Sequence, residues 1–144
     1  MSNATPFDQR KFRLACFLSQ IANEPFIYGQ NDCAMMPANW CLSESGIDPA
    51  AIVRGQYQDE EGWQTLADSY GGLFGLWDML AVESDMKCID APTIGDIGLV
   101  RIPKHGLYGA VKGGCDRWMV KLSRGLIGGN FKSLSAWSVP CHKQ

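Results

Sequence analysis

Apolar positions recur at helical spacing in the first part of the chain and alternate in the last part. Thr5-Pro6-Phe7-Asp8 reads as a helix start, with Thr as N-cap, Pro in the first turn and an acid three positions after the cap. Phe7, Leu14, Ala15, Leu18, Ile21 and Ala22 then share one face, which predicts a helix over residues 6–22 that Glu24-Pro25 stops. Phe26-Ile27-Tyr28 looks strand-like and ends in a Gly29 turn. A second helix starts at Asp32 or nearby, with Cys33, Met36, Pro37, Trp40 and Cys41 forming one stripe. Pro37 complicates that start, because it lacks the N–H that would bond the carbonyl of Cys33. Either the first turn is distorted, or the regular helix begins near Pro37 with Cys33 just ahead of it.

Asp48-Pro49-Ala50 suggests a short helix. Asp59-Glu60-Glu61 opens another that runs to the Gly71-Gly72 break, and Leu73 to Val82 forms a further apolar helical run. After Pro92 the pattern changes to strands. Residues 97–102, Leu107 to Val111, 117–122, Gly125 to Gly128 and Ala136 to Val139 are short extended runs separated by glycine-containing turns. Helices first and an antiparallel meander second is an α+β order, predicted as a single domain over residues 1–144.

The totals add exclusions. The chain has 144 residues, 46% hydrophobic and 19% charged, with a formal charge of −2. That length is enough to bury a core without staples. With no basic run, the electrostatic footprint of a nucleic-acid binder is missing. No apolar stretch approaches the ~20 residues of a membrane span. The polar start, Met1 to Pro6, does not read as a secretory signal, so the expectation is synthesis in the cytoplasm. The six cysteines, at 16, 33, 41, 88, 115 and 141, lack the short spacings of a zinc site, and free thiols are the expected state. No metal or cofactor is expected.

Cys33 is the cysteine with a helix start in front of it. Asn31 and Asp32 are good caps, and a thiol in a first helical turn feels the partial positive charge of unpaired N–H groups. That environment favours thiolate, the nucleophilic form. The plainer reading is a small buried hydrophobe, the commonest role of cysteine. The five tryptophans read as packing residues. Gly113-Gly114 and Gly128-Gly129 lack the following Lys-Ser/Thr of a phosphate loop, and Glu60-Glu61 opens a helix rather than supplying a catalytic carboxylate pair.

Phe26-Ile27-Tyr28-Gly29 followed by Asp32-Cys33-Ala34, with Gly95-Asp96-Ile97-Gly98-Leu99-Val100 opening the sheet, resembles the NlpC/P60 papain-like cysteine peptidases. The wider order is similar to a branch found in phage and prophage tail gene clusters. It comprises Tyr28-Gly-x-Asn-Asp-Cys33-Ala, Asp48-Pro49-Ala50 with Arg54-Gly55, Gly71-Gly72-Leu73, Gly95-Asp96, Gly125-Leu126 and Ala136-Trp137. By that resemblance Cys33 would attack a carbonyl of a peptidoglycan stem peptide, and a histidine on the adjacent strand would act as base. Backbone N–H groups at the helix start would stabilise the oxyanion. Tyr28 and Asp32 would be substrate contacts. The family's histidine position falls on Leu107 or Tyr108 here, which leaves His105, in the Lys104-His105-Gly106 turn, as the candidate base. His142 lies in a polar tail. Phe26 stands where the family has a tyrosine, and Asn130 is a polar loop residue with no assigned role. The resemblance implies either a cysteine peptidase or amidase delivered by a phage tail, or a catalytically degenerate component of the tail tip. Expected partners are peptidoglycan or tail-tip proteins, with location in the virion or the cytoplasm.

Overall fold

The computed structural model describes residues 5–141, so His142 lies outside the described residues. Four helices precede five strands: α1 (Pro6–Asn23), α2 (Met36–Ser45), α3 (Glu60–Ser69), α4 (Gly72–Glu83), β1 (Ile97–Ile102), β2 (Gly106–Lys112), β3 (Trp118–Leu122), β4 (Gly125–Gly129) and β5 (Lys132–Trp137). The strands form one antiparallel sheet in the order β4-β3-β2-β1-β5. This is the α+β class expected from the order of patterns. No helix among the described residues is long and apolar enough to cross a membrane.

Local chemistry explains the helix starts. Thr5 and Asp8 form a reciprocal capping box on α1, which fills two otherwise unpaired N–H groups. Asp59 caps α3 by accepting from the N–H of Gly62 at 2.7 Å. Four expectations need correction. Phe7 is 54% exposed and Leu14 and Ile21 are the buried residues of α1, so the apolar face starts a turn later. Residues 49–55 form successive turns rather than a helix. Phe26-Ile27-Tyr28 is no strand; Ile27 and Asn31 exchange backbone hydrogen bonds to make a tight turn. The last strand begins at Lys132, before the predicted Ala136 to Val139, because its polar residues lie on an edge strand.

Alternation along the strands splits the core in two. Ile97, Leu99, Val111 and Trp137 face the helices and pack with Met36, Trp40, Leu76, Trp77 and Leu80. Val100, Ile102, Ala110, Trp118, Val120 and Ala136 form a second cluster on the opposite face. The buried tryptophans also tie layers together by hydrogen bonds. Trp40 Nε1 donates to Gly95 O at 2.7 Å and Trp77 Nε1 to Ala34 O at 3.1 Å, so neither indole N–H is left without an acceptor.

β2 and β3 pair only at Val111–Met119 and Lys112–Trp118. Beyond those pairs the two strands diverge. β2 stays fully paired to β1 on its other side, from Gly106 to Val111. The sheet therefore contains a fork between β2 and β3, and this fork positions the candidate site.

Candidate functional site

Cys33 sits one turn ahead of α2. The Met36 N–H donates to Asp32 O at 2.9 Å, closing a helical turn, and the regular helix begins at Met36 with Pro37 next. Of the two arrangements that Pro37 allows, the second is found. The Cys33 carbonyl, which Pro37 leaves without a helical donor, packs against β2. A Cβ placed on Gly109 would stand 2.5 Å from that oxygen and 2.9 Å from Pro37 Cγ. Only glycine lets the strand come so close.

The turn carrying Cys33 is held from beneath by Asp32, which is 3% exposed. Its Oδ1 accepts from the N–H groups of Ala34 and Met35, at 3.0 and 2.8 Å. Its Oδ2 accepts from Gly29 N at 2.9 Å and from the Tyr57 hydroxyl at 2.6 Å. Four donors compensate a buried carboxylate that would otherwise be strongly unfavourable. Asp32, the candidate substrate contact, is buried in this structure and caps the turn that carries the cysteine. A second layer holds the first. Arg54 makes a bidentate pair with Asp48 at 2.8 and 2.9 Å and donates to Asn39 Oδ1 at 2.6 Å and Gln30 O at 3.3 Å. The Gly55 N–H donates to Gly29 O at 2.9 Å, and Gly29, at φ 79°, has no room for a Cβ beneath Tyr57 O.

A cleft of about 600 Å³ opens in the fork. Leu107 and Tyr108 of β2 line one arm, and Lys121, Leu122 and Ser123 the other. The helical side supplies Phe26, Tyr28, Glu60, Trp63 and Gln64. Phe26 meets Tyr28 edge-on with ring centroids 5.1 Å apart, and Tyr57 bridges from Tyr28 to Trp63. Cys33 lines the cleft as well and packs against the second cluster.

Burial pushes the Cys33 thiol up to about 12, with the Asp32 charge adding to the effect; backbone N–H groups of Cys33 itself and Gly109 offset only part of it. The surroundings thus hold the neutral thiol. His105 lines the same cleft but is exposed on the β1–β2 turn, fixed there by its backbone N–H donating to Ile102 O at 2.9 Å. Its imidazole makes no hydrogen bond to a described residue. Leu107 and Tyr108 are the β2 residues that line the cleft with Cys33. Tyr28 lines the cleft, and its phenol is held in the neutral form by burial and by Glu60. Asn130 lies in the β4–β5 loop, away from the residues that line the cleft. Among the described residues, no group of His, Cys, Asp and Glu could hold a metal ion.

Four contributors had little local signal in the sequence for the roles they take. Tyr57, whose phenol burial and the Asp32 charge keep protonated, lies in a segment without periodicity. Arg54 and Asp48 stand six positions apart in turns, so their pairing depends on the loop path. Lys121 alternates as a strand residue should, but nothing local shows that it is buried.

Neither the curated proteins nor the solved structures contain a match to this chain. A family model does match, over residues 6–139, and the chain belongs to the family described as Domain of unknown function (DUF6950).

Proposed function

We propose that this chain is a phage or prophage tail-associated protein on a papain-like, NlpC/P60-type frame, whose cleft receives an extended peptide segment and whose cysteine chemistry has been lost. A cysteine turn packed through Gly109 against the second strand of an antiparallel sheet supports the frame. The order of motifs from Tyr28 to Trp137 supports the tail setting. The loss of chemistry is carried by one observation: the β2 side chains that line the cleft with the thiol are Leu107 and Tyr108, neither of which is a base at neutral pH. A neutral thiol without a partner base is a poor nucleophile.

The second reading is a cysteine peptidase or amidase acting on peptidoglycan stem peptides, and it is favoured by Cys33 and His105 lining one cleft. In that reading the imidazole takes the thiol proton as sulfur adds to the carbonyl, then returns it to the leaving amine. The two readings separate on purified peptidoglycan incubated with wild type and Cys33→Ala, alongside a competent related enzyme. The expected result is no muropeptide release from either form. Release by wild type that Cys33→Ala abolishes would transfer the conclusion to the peptidase.

A further inference from the structure

One residue that lines the cleft, Lys121, serves neither the cysteine turn nor the thiol. Lys121 is 1% exposed. Its Nζ donates to the carbonyls of Ile21 at 3.2 Å and Glu24 at 2.8 Å, at the C-terminal end of α1. Those carbonyls carry the partial negative charge of a helix end and satisfy two of the three ammonium donors. No carboxylate among the described residues forms an ion pair with it. A buried full charge held only by partial charges is expensive to keep, and buried lysines are ordinarily paired.

Position gives this charge a direction. Phe26, two residues beyond Glu24, lines the cleft, as does Lys121 itself. Extending the β2–β3 register past Val111–Met119 puts Lys121 across the fork from Gly109, the residue packed against the Cys33 carbonyl. The acids near the cleft do not neutralise it. Asp32 is fully occupied by its four donors, the Glu24 carboxylate accepts instead from Gln20 Nε2 at 3.0 Å and Asn31 Nδ2 at 3.4 Å, and Glu60 is exposed at the start of α3.

We propose that Lys121 is the counter-charge for a carboxylate on the peptide segment that enters the fork, so that the cleft selects an acidic side chain or a free C-terminus beside Cys33. This deepens the reading of the cleft as a peptide receptor and rests on it. The carboxylate brings the missing negative charge and takes the third donor of the ammonium, forming a charge-assisted hydrogen bond in a region shielded from water.

Two alkylating reagents of nearly equal size test it, iodoacetate with a carboxylate and iodoacetamide without. The same thiolate attacks the carbon of either reagent and displaces iodide, so its scarcity cancels in the ratio of their rates. Site-resolved mass spectrometry of the full chain gives that ratio at Cys33 and at exposed Cys16 as internal reference. The expected ratio of iodoacetate to iodoacetamide is roughly fivefold higher at Cys33 than at Cys16 in low salt. It falls to the Cys16 value in Lys121→Met, falls only in part at salt on the order of 1 M because the pair is shielded, and persists in His105→Ala. If Lys121→Met does not fold, the salt dependence and His105→Ala still decide. A ratio at Cys33 no higher than at Cys16 overturns the proposal, and so does a preference that His105→Ala removes. Either result would leave the cleft a peptide receptor without this selectivity. Whether the cleft is a receptor or a peptidase is decided separately, by the peptidoglycan comparison.

Discussion

The Cys33 wall of the cleft is fastened by buried charge and backbone, whereas the His105 wall is a surface turn. On the first wall, Asp32 accepts four hydrogen bonds and Arg54 ties three separate segments together. On the second, one backbone hydrogen bond fixes His105, and the preceding Lys104 occupies the left-handed region at φ 70°. Catalysis by a thiol needs the base to be as well placed as the nucleophile, because a misplacement of about 1 Å can cost a factor of 10². Here only one partner is held. The same rigidity is useful to a receptor, which needs a preformed floor and tolerates a loose rim.

The largest test of this contrast is Asp32→Ala. It leaves three backbone N–H groups and the Tyr57 hydroxyl without an acceptor in a buried site, each an unfavourable event. The expected loss is about 3–5 kcal/mol, read as a drop in the urea midpoint at unchanged m value. A loss below about 1 kcal/mol would mean that the cysteine wall is no better fastened than the other.

Next in size is the reactivity of Cys33. With its thiol at about 12 against an ordinary ~8.5, the thiolate at neutral pH is scarcer by about 10³. Higher nucleophilicity of the more basic thiolate recovers part of this, so alkylation should run about 10² slower than at exposed Cys16 or Cys88. A raised thiol pKa moves the rate profile upward: the Cys33 rate still climbs with pH after the exposed sites have levelled. Levelling of Cys33 below them would show an activated thiolate and favour the peptidase. Tyr108→His, which puts an imidazole on a β2 position that lines the cleft with Cys33, should raise the neutral-pH rate at least about tenfold if the ring pairs with the thiolate.

Gly109→Ala tests the joint between the walls. The added methyl meets the Cys33 carbonyl and Pro37, neither of which is the free end of a flexible side chain, so about 1–3 kcal/mol of stability should be lost. Thermal denaturation followed by circular dichroism reads it, and an unchanged midpoint would show that β2 and the cysteine turn are not in firm contact.

Much of this architecture was legible in the chain because it rests on local signals. The Thr5-Pro6-x-Asp8 cap, the stops at Pro25 and Gly71-Gly72, and the alternation in Ile97–Ile102 each act within a few residues, and those elements fall where expected. Asp32-Cys33 marked the cysteine turn for the same reason. The fork was not legible, since nothing local says that β2 and β3 part after two pairs. Lys121 illustrates the limit best: its burial is set by a helix end 97–100 positions away in the chain. Ser133 and Ser135 hid β5, because an edge strand does not need a fully apolar pattern.

The smallest expected effect belongs to His105→Ala. An exposed turn residue whose side chain bonds no described neighbour should change stability by less than about 0.5 kcal/mol. It should also leave the pH profile of Cys33 alkylation where it was. The result is informative because the two readings of the cleft differ sharply here. If His105 swings in to pair with the thiol, its removal raises the apparent thiol pKa further and slows neutral-pH alkylation several-fold. If the turn is only a rim, the wild-type and variant profiles superimpose. Running the same comparison in the Tyr108→His background sharpens it. Once an imidazole stands on β2 itself, a rim histidine stays silent, whereas a true base at position 105 would become redundant and lose an effect it previously had.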